Sequence, residues 1–267
     1  MPSLTNKIFI SAVLSTLIGL GSANAAPSRA TLHFSDNREA VADLNKINDV
    51  LHTVGVHLSQ VEVPHEAVNI IKNAGKSKLD DKQQARLLKI MALNHEGVLA
   101  QVKLAGRKPV IAGGGSLSTQ EIGVPPYPKI YDMHAMTAND HIQAENKFGK
   151  LHVNYAENGQ GVDEVMTLIS GGPWTWFFAI DNNVVVKLTM DSVNASDLAW
   201  RISYPGKVPH GAFMDATDGI CVAYITGPQT WLMRYEATQL PGAQMLGTNP
   251  WIDFSGQQPI LLKQAKR

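Results

Sequence analysis

The sequence predicts an α+β fold, in which an α-rich N-terminal extension packs on a C-terminal antiparallel β-barrel. Three observations lead there. Apolar residues recur at helical spacing within residues 26–105, where Val41, Leu44, Ile47 and Leu51 share one face. From Lys150 the pattern becomes that of strands, in short apolar runs separated by turn residues such as Asn158-Gly159, Asp181-Asn182-Asn183, Pro205-Gly206 and Gly227-Pro228. Cys221 is the only cysteine, so no internal disulfide can substitute for a core, and the chain must bury one large enough to fold by itself.

Taken in order, residues 1–25 read as a signal peptide. Lys7 precedes an apolar run from Ile8 to Gly21, and Ala23-Asn24-Ala25 supplies a small-x-small cleavage site, so a periplasmic or secreted location is expected. The run is short for a bilayer span and no later stretch approaches about 20 apolar residues, so no integral membrane segment is expected after cleavage. Basic and acidic side chains balance at 23 each, without a basic cluster, which makes nucleic acid and anionic membrane surfaces poor partners.

The extension begins with Ala30–Phe34, which alternates like an edge strand. Ser35 and Asp36 open a predicted helix, with Asp36 and Glu39 spaced as a capping box, and Gly55 closes it. Val56–Val63 alternates again. Helices are expected over Glu66–Asn73, from Asp80-Asp81 through Met91, and from His95 to Leu104. Residues 106–149 form a Gly/Pro-rich connecting arm, because proline and glycine at the density found from Gly106 to Met136 exclude a helix. Gly113-Gly114-Gly115 lacks the Gly-Lys-Ser/Thr ending of a phosphate loop. Val124–Pro128 reads as a strap across the barrel or a segment for engaging a partner.

Residues 150–236 hold the barrel strands: Leu151–Ala156, Val162–Ser170, Trp174–Ile180, Val184–Met190, Leu198–Tyr204, Gly219–Thr226 and Trp231–Tyr235. Trp174–Phe178 alternates poorly, so that strand is buried on both faces or lines a pocket. Cys221 falls in an apolar run and reads as a buried small hydrophobe. In the tail, residues 237–267, Trp251, Ile252 and Phe254 can pack back on the barrel.

Two stretches carry the chemistry. Val162–Gly172 brings a carboxylate, Glu164, on a strand that ends in glycines, and Pro205-Gly206-Lys207-Val208-Pro209-His210 is a turn that delivers a histidine into a following strand. The interval from Glu164 to Gly171 resembles the end of the first motif of the cupin superfamily, and the Pro205–His210 turn resembles the core of its second motif. The resemblance covers Leu151 to Tyr235 and implies a cupin-like jelly roll. In cupins two histidines, one residue apart, precede the glutamate; by spacing along the chain those places fall on Asn158 and Gln160.

Glu164 and His210 would then be ligands for a transition metal, with His152 as a third if it points inward, because imidazole nitrogens and one carboxylate hold Fe, Mn, Zn or Cu with open positions. The alternative is a hydrogen-bonded Glu164–His210 pair without metal, able to serve as acid and base. Trp174, Trp176 and Tyr224 would line an apolar pocket, with Asn158 and Gln160 as polar contacts. Asp132-Met133-His134-Ala135-Met136, with His141, makes a soft-metal patch of the kind copper prefers.

Two functions from different classes follow. One is an exported cupin-like protein that binds a small organic ligand in its barrel. The other is a metal-dependent cupin-type enzyme, an oxygenase, isomerase or lyase acting on a small organic substrate through Glu164 and His210. A structural role through the Val124–Pro128 strap is the third, and an exposed sheet edge would allow a homodimer.

Overall fold

The computed structural model describes residues 29–266 apart from 94, 108–127, 182–183, 195–197, 215–217 and 229. The expected signal peptide, the Gly113–Gly115 triplet, Val124–Tyr127 of the strap and the Asn182-Asn183 turn lie outside the described residues.

Along the chain the elements are β1 (Ala30–Phe34), α1 (Leu44–His52), β2 (His57–Glu62), α2 (His65–Ala74), α3 (Asp81–Ile90), α4 (His95–Leu104), β3 (Lys129–Asp132), α5 (Ala138–Phe148), β4 (Val153–Tyr155), β5 (Asp163–Gly171), β6 (Trp174–Asp181), β7 (Val184–Met190), β8 (Leu198–Pro205), β9 (His210–Phe213), β10 (Gly219–Thr226) and β11 (Leu232–Arg234). The fold is therefore α+β, with five α-helices and antiparallel sheets among the described residues. Among the described residues no helix is long and apolar enough to cross a membrane.

The expected barrel takes the form of two sheets. One runs β1-β7-β6-β9 and the other β2-β8-β5-β10-β3, and the described strands do not join into a closed barrel. A core of Leu32, Trp174, Trp176, Phe178 and Leu188 from the first sheet and Leu58, Leu168, Trp200, Ile202 and Cys221 from the second lies between them. The outer faces are covered too. Ala67, Ile71 and Leu87 of α2 and α3 pack on Val165, Ile169 and Val222, while Trp251 and Ile252 of the tail pack on Phe177 and Val185. Burial on both faces removes the apolar/polar alternation from the central strands, and β10 is buried at every position.

Two local expectations change. Asp36 does not cap a helix: its carboxylate accepts from Arg38 Nε at 2.9 Å, in a turn where Asn37 has a φ of 66°, and the chain then reverses so that Val41 bridges Leu32 antiparallel. The helix starts at Leu44, where the Asp43 side chain accepts from the Lys46 amide at 2.9 Å. The second change lies within residues 106–149, which carry β3 and α5 as well as connecting chain. The signal for α5 is Thr137-x-x-Asp140, a capping box in which each residue's side chain binds the other's backbone N–H.

Candidate functional site

Three strands and one turn bring the polar cluster together at one end of the space between the sheets. His152 and His210 face each other in an isolated antiparallel bridge, with His152 N–H donating to His210 C=O at 2.9 Å and the reverse bond at 3.0 Å. Directly opposed residues send their side chains to the same face, so the rings stand side by side with centroids 4.4 Å apart. Asn154 lies two residues beyond His152 and shares its face by strand periodicity. Glu164, on β5, reaches the same point.

Gly206 makes the convergence possible. Its N–H donates to Val162 C=O and its C=O accepts from the Asn154 N–H, both at 2.6 Å, and a Cβ at this position would lie 2.5 Å from the Asn154 carbonyl oxygen. Only glycine lets the turn before His210 approach the segments carrying Asn154 and Glu164 this closely.

Glu164, His210, His152 and Asn154 are each no more than 3% exposed. Glu164 Oε1 lies 3.3 Å from His210 Nε2 and accepts from Asn154 Nδ2 at 2.7 Å. The other nitrogen of each histidine is committed: His210 Nδ1 meets the Val208 carbonyl at 2.8 Å and His152 Nδ1 meets the Lys150 carbonyl at 2.8 Å. A carbonyl oxygen only accepts, so both Nδ1 atoms carry hydrogen and, in the neutral rings, both Nε2 atoms present lone pairs. Ligating histidines are oriented in this way.

Burial first, and the proximity of His210 second, lower the His152 pKa to about 3, so that ring is neutral at physiological pH. For Glu164, burial alone would raise the pKa, but the charge of His210 and the hydrogen bonds from His210 and Asn154 outweigh it and hold the carboxyl below its ordinary value. Burial, then the Glu164 charge, pushes Tyr204 well above the usual tyrosine range, so its hydroxyl stays protonated beside the carboxylate.

The Glu164 carboxylate and the His210 Nε2 face each other, and Asn154 Nδ2 reaches both, at 2.7 Å from Glu164 Oε1 and 3.4 Å from His210 Nε2. A cation between the carboxylate and the imidazole, a proton or a metal ion, would add to that amide bridge. Asn154 Oδ1 is buried without a hydrogen-bond partner, but it is the Nδ2 end of that amide that faces Glu164 and His210. The donor types that could hold a metal here are two imidazoles and one carboxylate. The spacing is looser, because among the described residues no group of three or more His, Cys, Asp or Glu side chains is arranged to hold an ion outright. A metal would have to draw His152 toward the Glu164–His210 pair.

The cluster opens on a cavity of about 40 Å³ walled by Tyr131, Phe148, Met166, Trp176, Tyr204 and Met214. A water needs roughly 10–15 Å³, so the cavity in this form has room for an ion with one or two waters, and a larger molecule would need its walls to move apart.

Of the residues singled out from the sequence, Glu164, His210 and His152 come together and Trp176 lines their cavity. The others lie elsewhere. Asn158 sits in the exposed turn after β4, where its Oδ1 accepts from the Gln160 N–H at 3.0 Å, and neither residue lines the cavity. His152 and Asn154, one residue apart, are the side chains that meet Glu164 and His210, and the turn closed by the Ala156 N–H to Gln160 C=O bond lies between them and Glu164 along the chain. Trp174 Nε1 donates to Gly171 C=O at 3.0 Å in the inter-sheet core, and Tyr224 packs on the outer face under the helices. Asn154 was not singled out; its signal was the two-residue interval from His152.

No family model matches the chain, and no curated protein matches it. Among solved structures it is similar to acireductone dioxygenase from Bacillus anthracis, with a cadmium ion in the active centre, over 79% of this chain and 100% of that chain, at a TM-score of 0.50 and 14% identity. At that identity the likeness is one of fold. It supports a cupin-like fold and extends well beyond Leu151–Tyr235.

Proposed function

We propose that this is a cupin-like metal-dependent enzyme acting on a small organic substrate outside the cytoplasm, with the metal held by His152, His210 and Glu164. The observation that carries this reading is the pair of adjacent histidines whose Nδ1–H groups are fixed on backbone carbonyls, with His210 Nε2 3.3 Å from the buried Glu164 carboxylate and the His152 ring next to that of His210. Two histidines and one carboxylate form the donor set that leaves open positions on non-haem iron and related ions. Bound there, the metal would supply Lewis-acid or redox chemistry at those positions. The chain's own residues orient the ligands, exclude bulk water and keep the Tyr204 hydroxyl protonated next to Glu164. The cadmium-bearing active centre of the similar structure supports the reading, as does the Ala23-Asn24-Ala25 cleavage signal for export.

Elemental analysis of the purified protein tests it. About one transition metal per chain is expected, lost in Glu164→Gln and His210→Ala. A metal-free protein that takes up no added Fe, Mn, Zn or Cu at this cluster, and whose fold survives both changes, would overturn it.

A second reading is favoured by the walls of the cavity, where Trp176, Phe148, Met166 and Met214 surround few polar groups. On that reading the protein binds a small apolar or aromatic ligand without metal, through an opened form of the same cavity. Tryptophan fluorescence of metal-stripped protein would then respond to such ligands, and silence across a broad screen would remove this reading.

A further inference from the structure

The turn after β3 gathers a second set of soft donors, away from Glu164. Met133, His134, Met136 and His141 line one open cleft of about 540 Å³ together with Glu145 and Lys76. His134 lies on the short 3-10 turn after β3, and His141 lies in the N-terminal part of α5, so the segment between them folds the two rings onto one cleft.

Both rings are oriented from behind. The Nδ1 atom of His134 is 3.3 Å from Oδ1 of Asp132, a carboxylate fixed in place by the backbone amides of Leu79 at 2.7 Å and His134 at 3.1 Å. The Nδ1 atom of His141 meets the Met214 carbonyl at 2.9 Å, where it must donate. In the neutral rings each Nε2 then carries the lone pair. A carboxylate behind one imidazole and a backbone carbonyl behind the other are the outer partners that ligating histidines use.

Met136 is partly buried beside them and brings a thioether; Met133, 1% exposed, backs the cleft with a second sulfur. Hard ions do not take thioether sulfur, whereas copper(I) is bound by thioether and imidazole together. The charged groups on the cleft, Glu145 and Lys76, oppose each other in sign.

We propose that His134, His141 and Met136 form a copper(I) site, separate from the Glu164 cluster. The two share no ligand, although Met214 carries the carbonyl that orients His141 and also walls the Glu164 cavity. The donor set is two imidazoles and a sulfur.

The test is copper(I) titration under anaerobic conditions, in competition with a bicinchoninate chelator. It uses the full chain carrying Glu164→Gln, which disables the other cluster, and Cys221→Ala, which removes the only cysteine. One equivalent is expected. Met136→Leu should weaken copper(I) by about 10–100-fold, the scale on which metal sites respond to a lost partner. It should change Zn²⁺ binding by no more than about threefold, because zinc uses the imidazoles. The double change His134→Gln/His141→Gln should abolish both. X-ray absorption of the copper-loaded Glu164→Gln/Cys221→Ala protein, before any change to the cleft, should show one sulfur and two nitrogen scatterers. Absence of stoichiometric binding, an all-nitrogen shell, or copper(I) affinity unchanged by Met136→Leu would each overturn the site.

Discussion

Asp163 and Glu164 are neighbours on β5, point to opposite faces of the same sheet, and make two quite different ion pairs. Asp163 is bound by Arg107 Nη1 on the outer side, where Arg107 Nη2 also donates to Ser203 Oγ at 2.7 Å. Burial lowers the Arg107 pKa to about 10, so the guanidinium is still fully charged at neutral pH and its bonds do not depend on a proton. Glu164, on the inner side, faces an imidazole whose partner nitrogen is already used, beside an amide oxygen with no partner and a small cavity. The outer pair is charged at neutral pH, although Arg107 Nε is buried without a partner, and it joins two elements of the fold. The inner pair couples a carboxylate to an imidazole beside a cavity, and on the proposed function it is the one that holds a cation.

Breaking the outer pair should therefore cost the most stability and the least function. Arg107→Ala leaves Asp163 and Ser203 without their partner on a largely covered surface, and a loss of about 3 kcal/mol is expected from the cost of orphaning one member of a buried pair. Chemical denaturation measures it, with metal content per chain as the second readout. Unchanged stability, or loss of metal at retained stability, would reverse the assignment of the two pairs.

The next effect belongs to the inner side and depends on pH. The His152 pKa is lowered to about 3 in the folded protein. An unfolded histidine binds its proton near pH 6.5, so between these values the unfolded chain holds more protons and stability falls as the solution is acidified. At about 1.4 kcal/mol per pH unit, metal-free protein should lose about 2 kcal/mol between pH 7 and pH 5 through this residue. His33 and His57 are also lowered by burial and act in the same direction, so the comparison needed is wild type against His152→Phe. The variant should show a shallower acid limb; an identical limb would mean that His152 is not held neutral.

Much of this arrangement could be read before the fold was known, and the parts that could not have physical causes. Glu164 and His210 were legible because a strand ending in glycines and a Pro-Gly turn are local features. His152 was legible as a histidine on the strand ahead. Asn158 and Gln160 were assigned by counting along the chain, whereas position in the site is set across strands, by the bridge between residues 152 and 210. Asn154 alone carries no chemical signal; it acquires one only when it shares a face with His152. The helix expected at Asp36 failed for a related reason, since a carboxylate with Arg38 two residues away can satisfy that arginine instead of the backbone. Strand existence was read well because turns punctuate it. Closure was not, because two sheets covered on both outer faces bury their strands as thoroughly as a barrel does.

The smallest stability effect expected is at Glu164 itself, and it sharpens the contrast most. Glutamine has the same shape. In Glu164→Gln the atom at the Oε1 position, which both faces His210 Nε2 at 3.3 Å and accepts from Asn154 Nδ2 at 2.7 Å, is either an oxygen that keeps the Asn154 bond or a nitrogen that donates to the His210 Nε2 lone pair. Whichever way the amide turns, one of the two contacts is kept and one is given up, so metal-free stability at pH 7 should fall by about 1 kcal/mol, the net worth of one hydrogen bond. Because the Glu164 carboxyl is held below its ordinary value, it contributes stability above that value that is lost as pH falls through the folded one. The variant should lack that part of the acid transition. Denaturation midpoints from pH 7 to pH 3 on both metal-free proteins measure this. A loss as large as that from Arg107→Ala would show that Glu164, like Asp163, is fixed for structure.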